Sequence, residues 1–255
     1  MNLPNYRRAD VIATVLDIRT VAEDTFWLEL YAAGIAENAS PGQFVMIEVP
    51  GKFLRRPFSI AGVEGKRIKI LFRTVGEGTR VLSRVRRNYR LRVLGPLGNG
   101  FPKIDTPPML VAGGVGLAPM LFAKSVWKDA PLLYGEKNER YLVDRTILPA
   151  DVLIAVERGG KADGFRGTVV ELAERQSPRP IFACGPAPML DTLAQLAEKW
   201  RVPAWFSLES RMACGFGVCN GCVIRTAEGY KKVCTDGPVF ECGLVKDYLL
   251  EDYGI

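Results

Sequence analysis

Residues 109–120 read MLVAGGVGLAPM, in which an apolar strand pattern runs into a glycine turn and then into a helical pattern. Glycines at such a turn let a pyrophosphate approach the backbone N–H groups at the start of the helix, and proline is tolerated in the first helical turn. The motif is shorter than a full G-x-G-x-x-G fingerprint, and a glycine turn can also serve only to pack a strand against a helix. The stretch favours nucleotide binding and predicts a strand–turn–helix unit.

Apolar strand runs and helical stretches alternate through the residues that follow. The strand runs are PLLYG, VLIAV, PIFAC and AWFSL, and the helical stretches between later pairs are TVVELAERQ and PAPMLDTLAQLAEKW. Such alternation predicts a parallel sheet with helices on both faces. We therefore expect an α/β domain over residues 104–209.

The residues before this unit are rich in short β-branched or alternating runs. These runs are VIATVLDI, TFWLELYA, QFVMIEV, RIKILFRTV and YRLRVLGPLG, separated by Gly and Pro turns. Several short strands at such spacing predict an antiparallel barrel or sandwich over residues 1–103. Only one helix is expected here, near residues 79–87. The chain is thus predicted to be a multi-domain β and α/β protein.

Composition excludes several classes of function. The 255 residues include no histidine, so imidazole bases, histidine metal ligands and Ser/His/Asp triads are ruled out. The net charge of +6 suits phosphate-bearing cofactors or an acidic partner as well as a nucleic acid. No apolar run reaches the ~18 residues of a membrane span, and the first residues, MNLPNYRRAD, lack the apolar core of a signal peptide. A cytoplasmic protein is expected.

Four of the six cysteines lie in residues 211–234, RMACGFGVCNGCVIRTAEGYKKVC. Their order, C-x4-C-x2-C with a fourth cysteine after eleven further residues, is typical of plant-type [2Fe-2S] ligation. Glycines between the ligands let the backbone fold tightly, so that peptide N–H groups can point at the sulfur atoms. The predicted ligands are Cys214, Cys219, Cys222 and Cys234.

Two alternatives stay open for these thiols. Zinc could use the C-x2-C knuckle of Cys219 and Cys222, although zinc ribbons normally carry two such knuckles. Disulfides or plain buried thiols are less favoured in a reducing compartment. Residues 210–255 have too little apolar surface to fold without an additional cross-link or metal centre, so we expect a small third domain organised by the cluster. Cys242 is expected to be a small buried residue.

Two short segments of the predicted barrel carry groups suited to a cofactor. Residues 56–59, RPFS, are expected to follow a strand, and residues 76–79, GEGT, to precede a helix. An arginine can pair with a pyrophosphate, a hydroxyl can hydrogen-bond a ring nitrogen, and a G-x-G-T turn at a helix start can receive a phosphate. Each segment alone is typical of an ordinary surface turn, so only their combination is informative.

In combination these segments resemble the ferredoxin-NADP reductase superfamily. The resemblance covers residues from about 8 to 208 and rests on RPFS, GEGT, GGVGLAPM and the CGPAPM of residues 184–189. The C-terminal SLESRMACGFGVCNGC and YKKVCTDGPVF narrow it to the electron-transfer subunits of two-subunit, NAD-dependent dihydroorotate dehydrogenases. This resemblance implies an antiparallel FAD-binding β-barrel, a parallel-sheet NAD-binding domain and a small C-terminal [2Fe-2S] cluster domain.

The resemblance also implies roles for individual residues. Those expected to bind FAD are Arg56, Pro57, Phe58, Ser59, Leu71, Phe72, Arg73, Gly78 and Thr79. Those expected to bind NAD are Gly113, Gly114, Gly116, Cys184 and Gly185. Cys214 and Cys219 would ligate one iron, and Cys222 and Cys234 the other. Many members of the superfamily have tyrosine where Phe58 stands, so a phenolic hydrogen bond to the cofactor is absent here. Cys184 could equally be a buried residue at a strand end.

The function that follows from the resemblance is electron transfer between NAD(H), FAD and the cluster. Such transfer needs no general base, so no catalytic side chain is expected in this chain. The oxidation of dihydroorotate to orotate, a step of pyrimidine biosynthesis, would belong to an FMN-containing partner subunit in a heterotetramer. We expect the docking face for that partner near the cluster, including Lys231 and Lys232.

Other functions stay open from the sequence. A diaphorase-type subunit that serves a ferredoxin, sulfite reductase or hydrogenase partner would have the same domains. A zinc-stabilised module that binds nucleic acid would need clustered basic residues with stacking aromatics, which the sequence does not show. NAD is expected rather than NADP. Residues 134–137, YGEK, place an acidic residue that could contact the ribose of NAD next to a basic residue that could contact the phosphate of NADP.

Overall fold

The computed structural model describes residues 8–159 and 164–252, and its first part is a barrel of six antiparallel strands. The strands are β1 (Ala9–Ala22), β2 (Thr25–Tyr31), β3 (Phe44–Ile47), β4 (Arg56–Glu64), β5 (Arg67–Arg73) and β6 (Arg90–Leu97). They close in the order β1-β2-β5-β4-β3-β6 around fully buried side chains such as Leu28, Ile47 and Ile70. The barrel expected from the short alternating runs is confirmed.

The RPFS segment follows β3, as expected, and itself forms the start of β4, a strand that the sequence did not predict. Proline usually weakens a strand interior because it cannot donate a ladder hydrogen bond. Here residues 56–59 pair with β3 alone, and the pairing with β5 begins only at Ile60. Pro57 therefore lies where β4 has a neighbour on one side, so the missing N–H is tolerated.

The barrel contains two short helices instead of the single expected one, α1 (Ala33–Ala36) and α2 (Glu77–Leu82). Helix α2 begins two residues before the expected start, because Thr79 Oγ1 accepts the N–H groups of Val75 and Gly76 at 3.0 and 3.2 Å. It ends early at Leu82, where the Ser83 hydroxyl bonds the carbonyl of Arg80 at 2.9 Å. Such side-chain bonds to the backbone compete with helix continuation.

The second part is an α/β sheet whose strands all coincide with the runs picked out in the sequence, apart from one short addition. The strands are β7 (Met109–Gly113), β8 (Leu132–Asn138), β9 (Leu153–Arg158), β10 (Phe165–Arg166), β11 (Ile181–Cys184) and β12 (Ala204–Ser207). They are parallel, in the order β10-β9-β8-β7-β11-β12. The added strand is β10, which has only two residues.

Helices cover both faces of this sheet, as expected. They are α3 (Leu117–Val126), α4 (Val169–Glu174) and α5 (Ala187–Trp200). Met109 and Val111 of β7 pack in a core with α4 and α5, whereas Leu110 and Ala112 pack in a core with α3. Alternate residues of one strand thus point to opposite faces, as the pleat requires.

The last part of the chain is not separate from the sheet. It contains a hairpin of β13 (Val223–Thr226) and β14 (Gly229–Lys232), then β15 (Val239–Glu241), α6 (Cys242–Val245) and α7 (Leu249–Asp252). Strand β15 pairs antiparallel with β12 and becomes the edge of the sheet. β15 of the third segment thus completes the sheet of the second segment. The division into residues 1–103, 104–209 and 210–255 stays a prediction.

Helix α3 joins the barrel to the sheet. Phe122 packs in the barrel core, and Leu71 of β5 belongs to the same buried cluster as Leu117 and Ala118. The start of α3 therefore lies beside the end of β5. None of the helices in the described residues is both long and apolar enough to cross a membrane.

Candidate flavin, nucleotide and cluster sites

The structure brings RPFS (residues 56–59, the flavin segment) together with the start of α2. Gly78 leaves room for Arg56, since a Cβ on Gly78 would lie 3.1 Å from Arg56 Nε. Arg56 Nη1 donates to the carbonyls of Leu54 and Arg55 at 2.6 and 3.3 Å, which fixes the guanidinium. A basic group at a helix start can bind a phosphate, so these segments form one candidate phosphate site.

Two of the residues expected to bind FAD point into the barrel. Phe58 is 8% exposed and lies edge-on to Phe72 at 5.5 Å, and Phe72 stacks on Phe26 at 5.6 Å. Pro57 and Ser59, which alternate with Phe58, are half-buried. The rings of Phe58 and Phe72 fill the core, so any contact with FAD at these positions would involve the main chain.

The residues expected to bind NAD meet at one end of the sheet. A Cβ on Gly113 would lie 2.6 Å from Met189 Sδ, and one on Gly116 would overlap the carbonyl oxygen of Cys184. A Cβ on Gly185 would lie 3.1 Å from the Cα of Gly113. These glycines therefore let residues 113–116, the glycine turn, pack against the end of β11.

Gly114 differs from its neighbours in the glycine turn. Its φ is +58°, which favours glycine, and a Cβ there would have no neighbour nearer than 4.0 Å. The atoms at that distance are Arg73 Nη1 and Glu136 Oε1. The open side of the turn is thus the side that faces Arg73.

Cys184 is a buried thiol at the end of β11. Burial raises its pKa far above the ordinary value and the nearby charge of Glu209 adds to the rise, while a hydrogen bond with Ser207 offsets part of it. The side chain is 1% exposed. Cys184 therefore stays protonated near neutral pH, and its described contacts are those of a packing residue.

A polar network between the barrel and the sheet was not expected from the sequence. Arg73 Nη2 donates to Glu136 Oε1 at 2.7 Å and Arg73 Nε to Thr25 Oγ1 at 3.1 Å. The Tyr134 hydroxyl donates to the same Glu136 oxygen at 3.0 Å. Burial raises the pKa of Glu136, although Arg73 and Tyr134 act to lower it. The sequence carried no signal for this network, because Arg73, Thr25 and Glu136 come from three separate strands.

The four predicted cluster cysteines lie as two pairs. Cys214 hydrogen-bonds Cys219, and Cys222 hydrogen-bonds Cys234, the same pairs that the resemblance implies for the two irons. All six cysteines of the chain are free thiols, so the disulfide alternative is wrong. Within residues 8–159 and 164–252, no three or more His, Cys, Asp or Glu side chains form a group placed to hold a metal ion.

Backbone N–H groups point at these thiols. Burial acts to raise the pKa of Cys214, but hydrogen bonds, including those from the N–H groups of Cys219, Phe216 and Val218, lower it to about 6. The N–H of Gly221 lies 3.4 Å from Cys219 Sγ. Cys234 is different, since burial and the neighbouring Cys222 raise its pKa to about 12. Amides that converge on thiolate sulfur fit an anionic iron-sulfur cluster.

The backbone of residues 214–222, the cluster loop, depends on glycine. Gly215 has a φ of +78°, and a Cβ there would lie 2.5 Å from Met46 Cγ. Gly217 has a φ of +92°, and its Cβ would lie 2.8 Å from Thr235 Cγ2. Both positions thus combine a left-handed backbone with a close approach.

The cluster loop contacts the barrel beside the flavin segment. Met46, which Gly215 approaches, lies in β3 and is paired with Pro57. Asn99, just after β6, donates through Nδ2 to the carbonyls of Thr235 and Asp236 at 3.2 and 3.0 Å. The sequence carried no signal for these contacts, because neither Met46 nor Asn99 belongs to a recognisable motif.

Lys231 and Lys232, both expected on the docking face, have different surroundings. Lys232 Nζ donates to the carbonyl of Gly217 at 2.8 Å, so its charge is turned toward the cluster loop. Lys231 pairs with Glu228 at 3.1 Å on the hairpin. Near the cluster loop, Val218 and Tyr230 are 73% and 77% exposed.

The fold of this chain also occurs in solved structures of other proteins. A solved structure of an NADH-dependent reduced ferredoxin-NADP oxidoreductase superposes with a TM-score of 0.84 at 26% identity, over 96% of this chain and 93% of that one. Phthalate dioxygenase reductase superposes with a TM-score of 0.59 at 17% identity, over 86% and 87% of the chains. The fold is that of the ferredoxin-NADP reductase-like proteins.

Sequence comparison identifies the family within that class. A family model described as the iron-sulfur cluster binding domain of dihydroorotate dehydrogenase B matches residues 209–246. The dihydroorotate dehydrogenase B (NAD(+)) electron transfer subunit of Caldanaerobacter subterraneus subsp. tengcongensis is 39% identical over 89% of this chain and 95% of its own length. That of Geobacillus thermodenitrificans is 37% identical over 91% and 96%. The chain belongs to the family of dihydroorotate dehydrogenase B electron transfer subunits.

Proposed function

We propose that this chain passes electrons between NAD(H), FAD and a [2Fe-2S] cluster, as the electron-transfer subunit of an NAD-dependent dihydroorotate dehydrogenase. The observation that carries the proposal is the contact of Gly215 with Met46, which is paired with Pro57 of the flavin segment. One barrel strand therefore separates the candidate flavin site from the cluster loop. Electron transfer weakens steeply with distance, so this proximity supports a direct flavin-to-cluster path.

The described residues suit the binding of both dinucleotides. Arg56, fixed at the start of α2, would hold the FAD phosphates, and Gly114 presents an open left-handed turn to NAD(H). A bound flavin supplies the conversion between the two-electron chemistry of NADH and the one-electron chemistry of an iron-sulfur cluster. The side chains here bind and orient, and none is needed to move a proton for the hydride step.

The cluster loop together with Cys234 would supply two irons with two thiolates each, from two cysteine pairs that do not form a single group of three or more ligands in the described residues. Cys214 with Cys219 and Cys222 with Cys234 would be the ligand pairs. The N–H groups directed at Cys214 and Cys219 would stabilise the negative charge of the thiolates. We propose these four cysteines as the ligands of the [2Fe-2S] cluster.

The oxidation of dihydroorotate is proposed to take place in a partner subunit that contains FMN. The family name of the relatives, an electron transfer subunit, supports the existence of such a catalytic partner. We propose a heterotetramer and a cytoplasmic location, the latter because all six thiols of this chain are free.

The first experiment measures the cofactors of the purified chain. We expect bound FAD, about two irons and two sulfides per chain, and bleaching of the visible spectrum when NADH is added without oxygen. A colourless preparation with zinc, and with neither FAD nor iron, would contradict the proposal and favour the zinc module.

The second experiment tests the partner. The chain is mixed with a dihydroorotate dehydrogenase catalytic subunit, and complex formation and NAD-linked orotate production are measured. The similarity to the solved NADH-dependent reduced ferredoxin-NADP oxidoreductase, which is 26% identical, makes a ferredoxin partner the alternative. Reduction of ferredoxin without any orotate production would favour that alternative.

A further inference from the structure

A buried ion pair connects the barrel to the sheet beside the glycine turn. Arg73 ends β5 and Glu136 lies in β8, and Arg73 Nη2 is 2.7 Å from Glu136 Oε1. The Glu136 side chain is 4% exposed and that of Arg73 is 22% exposed. Another ion pair between the same two parts, Glu23 with Arg140 at 3.4 Å, is about half-exposed. The two pairs thus allow a matched comparison.

Arg73 is held in a single position by several contacts. Its Nε donates to Thr25 Oγ1, which is fully buried, and its guanidinium lies 4.6 Å from the ring centre of Tyr141. The Tyr134 hydroxyl, bonded to Glu136, also lies 3.3 Å from the carbonyl oxygen of Tyr141. The carboxylate, the hydroxyl and the ring together fix where the guanidinium points.

The free side of the guanidinium faces the glycine turn. Arg73 Nη1 and Glu136 Oε1 each lie 4.0 Å from the position that a Cβ on Gly114 would take. Glu136 Oε1 already accepts hydrogen bonds from Arg73 and Tyr134, so that oxygen is occupied. The carboxylate oxygen that faces the glycine turn is therefore engaged by the protein, and an acceptor role toward a ribose hydroxyl is left to the other oxygen and to the test below.

We propose that Glu136 is a positioning residue for nucleotide binding, which acts by holding Arg73 between the flavin strand β5 and the glycine turn. The proposal rests on the proposed function, since it assigns the ligand at the turn as a nicotinamide dinucleotide. Arg73 Nη1 then meets the pyrophosphate or the adjoining ribose of either NAD or NADP. Glu136 contributes through the orientation of Arg73 and does not distinguish the two nucleotides.

The test compares Glu136→Gln with Glu23→Gln in the FAD- and cluster-loaded protein. The affinities for NAD+ and NADP+ are measured by calorimetry on the oxidised protein, so that no turnover occurs. We expect Glu136→Gln to weaken both affinities by the same factor, about tenfold, as for a typical coupling energy between two sites. Amide hydrogen exchange of residues 114–117 without nucleotide should become faster. Glu23→Gln should change neither measurement.

A double variant tests whether Glu136 acts through Arg73. In an Arg73→Gln background, Glu136→Gln should weaken NAD+ binding no further, because the residue to be positioned is gone. An independent additional loss would overturn the proposal. So would a loss of NAD+ affinity alone with NADP+ unchanged, which would assign Glu136 to the ribose.

The remaining outcomes are also decisive. Unchanged affinities in Glu136→Gln would overturn the positioning role. Loss of FAD alone from that variant would also overturn it, because Arg73 would then serve the flavin, as the resemblance implies. Loss of both FAD and iron would reassign the ion pair to stability. Tyr134→Phe, which removes only the hydroxyl, should shift both affinities in the same direction by a smaller factor. If the unaltered protein binds neither nucleotide, the proposed function itself fails, independently of Glu136.

Discussion

The parallel sheet and the cluster loop are stabilised in different ways. The sheet packs fully buried aromatic and aliphatic side chains, such as Phe182 stacked on Phe101 at 4.6 Å. In the cluster loop Phe216 and Val218 are 41% and 73% exposed, and order comes from left-handed glycines and hydrogen bonds to sulfur. Hydrophobic burial resists local opening, whereas a loop of this kind depends on its metal. Loss of the cluster should therefore loosen the loop and leave the sheet intact.

The largest expected effect is on the free energy of unfolding, when one phenylalanine side chain is truncated in the sheet and one in the cluster loop. Phe182→Ala should lower the free energy of unfolding by about 3–5 kcal/mol, because it leaves a cavity beside Trp127 and Trp205. Phe216→Ala should change it by no more than about 0.5 kcal/mol, as for other exposed positions. Urea unfolding followed by tryptophan fluorescence measures both. Equal effects of the two substitutions would remove the contrast between the regions.

The next effect concerns glycine in the cluster loop. Gly215→Ala should reduce iron and sulfide content strongly and keep FAD, because a left-handed alanine costs about 1–2 kcal/mol and its Cβ crowds Met46. The control is Gly221→Ala, where the nearest atom to a Cβ is Cys219 Sγ at 3.5 Å, an ordinary contact. Iron and FAD assays measure both. Joint loss of FAD and iron in Gly215→Ala would mean that the two sites are not independent.

A smaller effect is expected from the adjacent lysines. Lys232→Met should speed the loss of the cluster and lower its reduction potential, because a positive charge and its bond to Gly217 are removed. A hydrogen bond that involves a charged group contributes about 1.5–3 kcal/mol. Lys231→Met removes the same charge on the hairpin and should have little effect on either property. Spectroscopic redox titration and the rate of iron release are measured for both variants. Equal reduction potentials and equal rates of iron loss would contradict a role of the Lys232 charge at the cluster loop.

The smallest effect appears in thiol reactivity and leaves the fold unchanged. The pKa of Cys214 is lowered to about 6, so its thiolate is present above that pH and is lost as the pH falls through it. Cys234, with a pKa raised to about 12, stays protonated over the same range. Immediately after the iron is removed, while the loop still keeps its backbone hydrogen bonds, iodoacetamide at neutral pH should label Cys214 and leave Cys234 largely unmodified, and the difference should fade as the loop loosens. Mass spectrometry across pH 5 to 8 measures this, and preferential labelling of Cys234 would contradict it.

Local patterns predicted most of the elements, because they depend on neighbouring residues. The run MLVAGG predicted β7 and the turn into α3, and the cysteine spacing singled out the candidate ligands. Strand β4 was missed because Pro57 argues against a strand, and its tolerance depends on which neighbours pair with it. The pairing of β15 with β12 joins distant parts of the chain. The Arg73–Glu136 pair joins the two parts of the molecule in the same way, and no local pattern contains it.

Strand β15 has a consequence for exchanging parts between related reductases. The cluster loop and the β13–β14 hairpin are followed by β15, the strand that completes the edge of the nucleotide sheet, and Asn99 of the barrel donates hydrogen bonds to Thr235 and Asp236 shortly before that strand. A cut at residue 209 would therefore expose an unpaired edge on β12, which is a site for aggregation. A chimera that takes its cluster segment from another reductase should retain residues 235–241 of this chain. The new segment would then keep the pairing of β15 with β12 and the hydrogen bonds from Asn99 of the barrel.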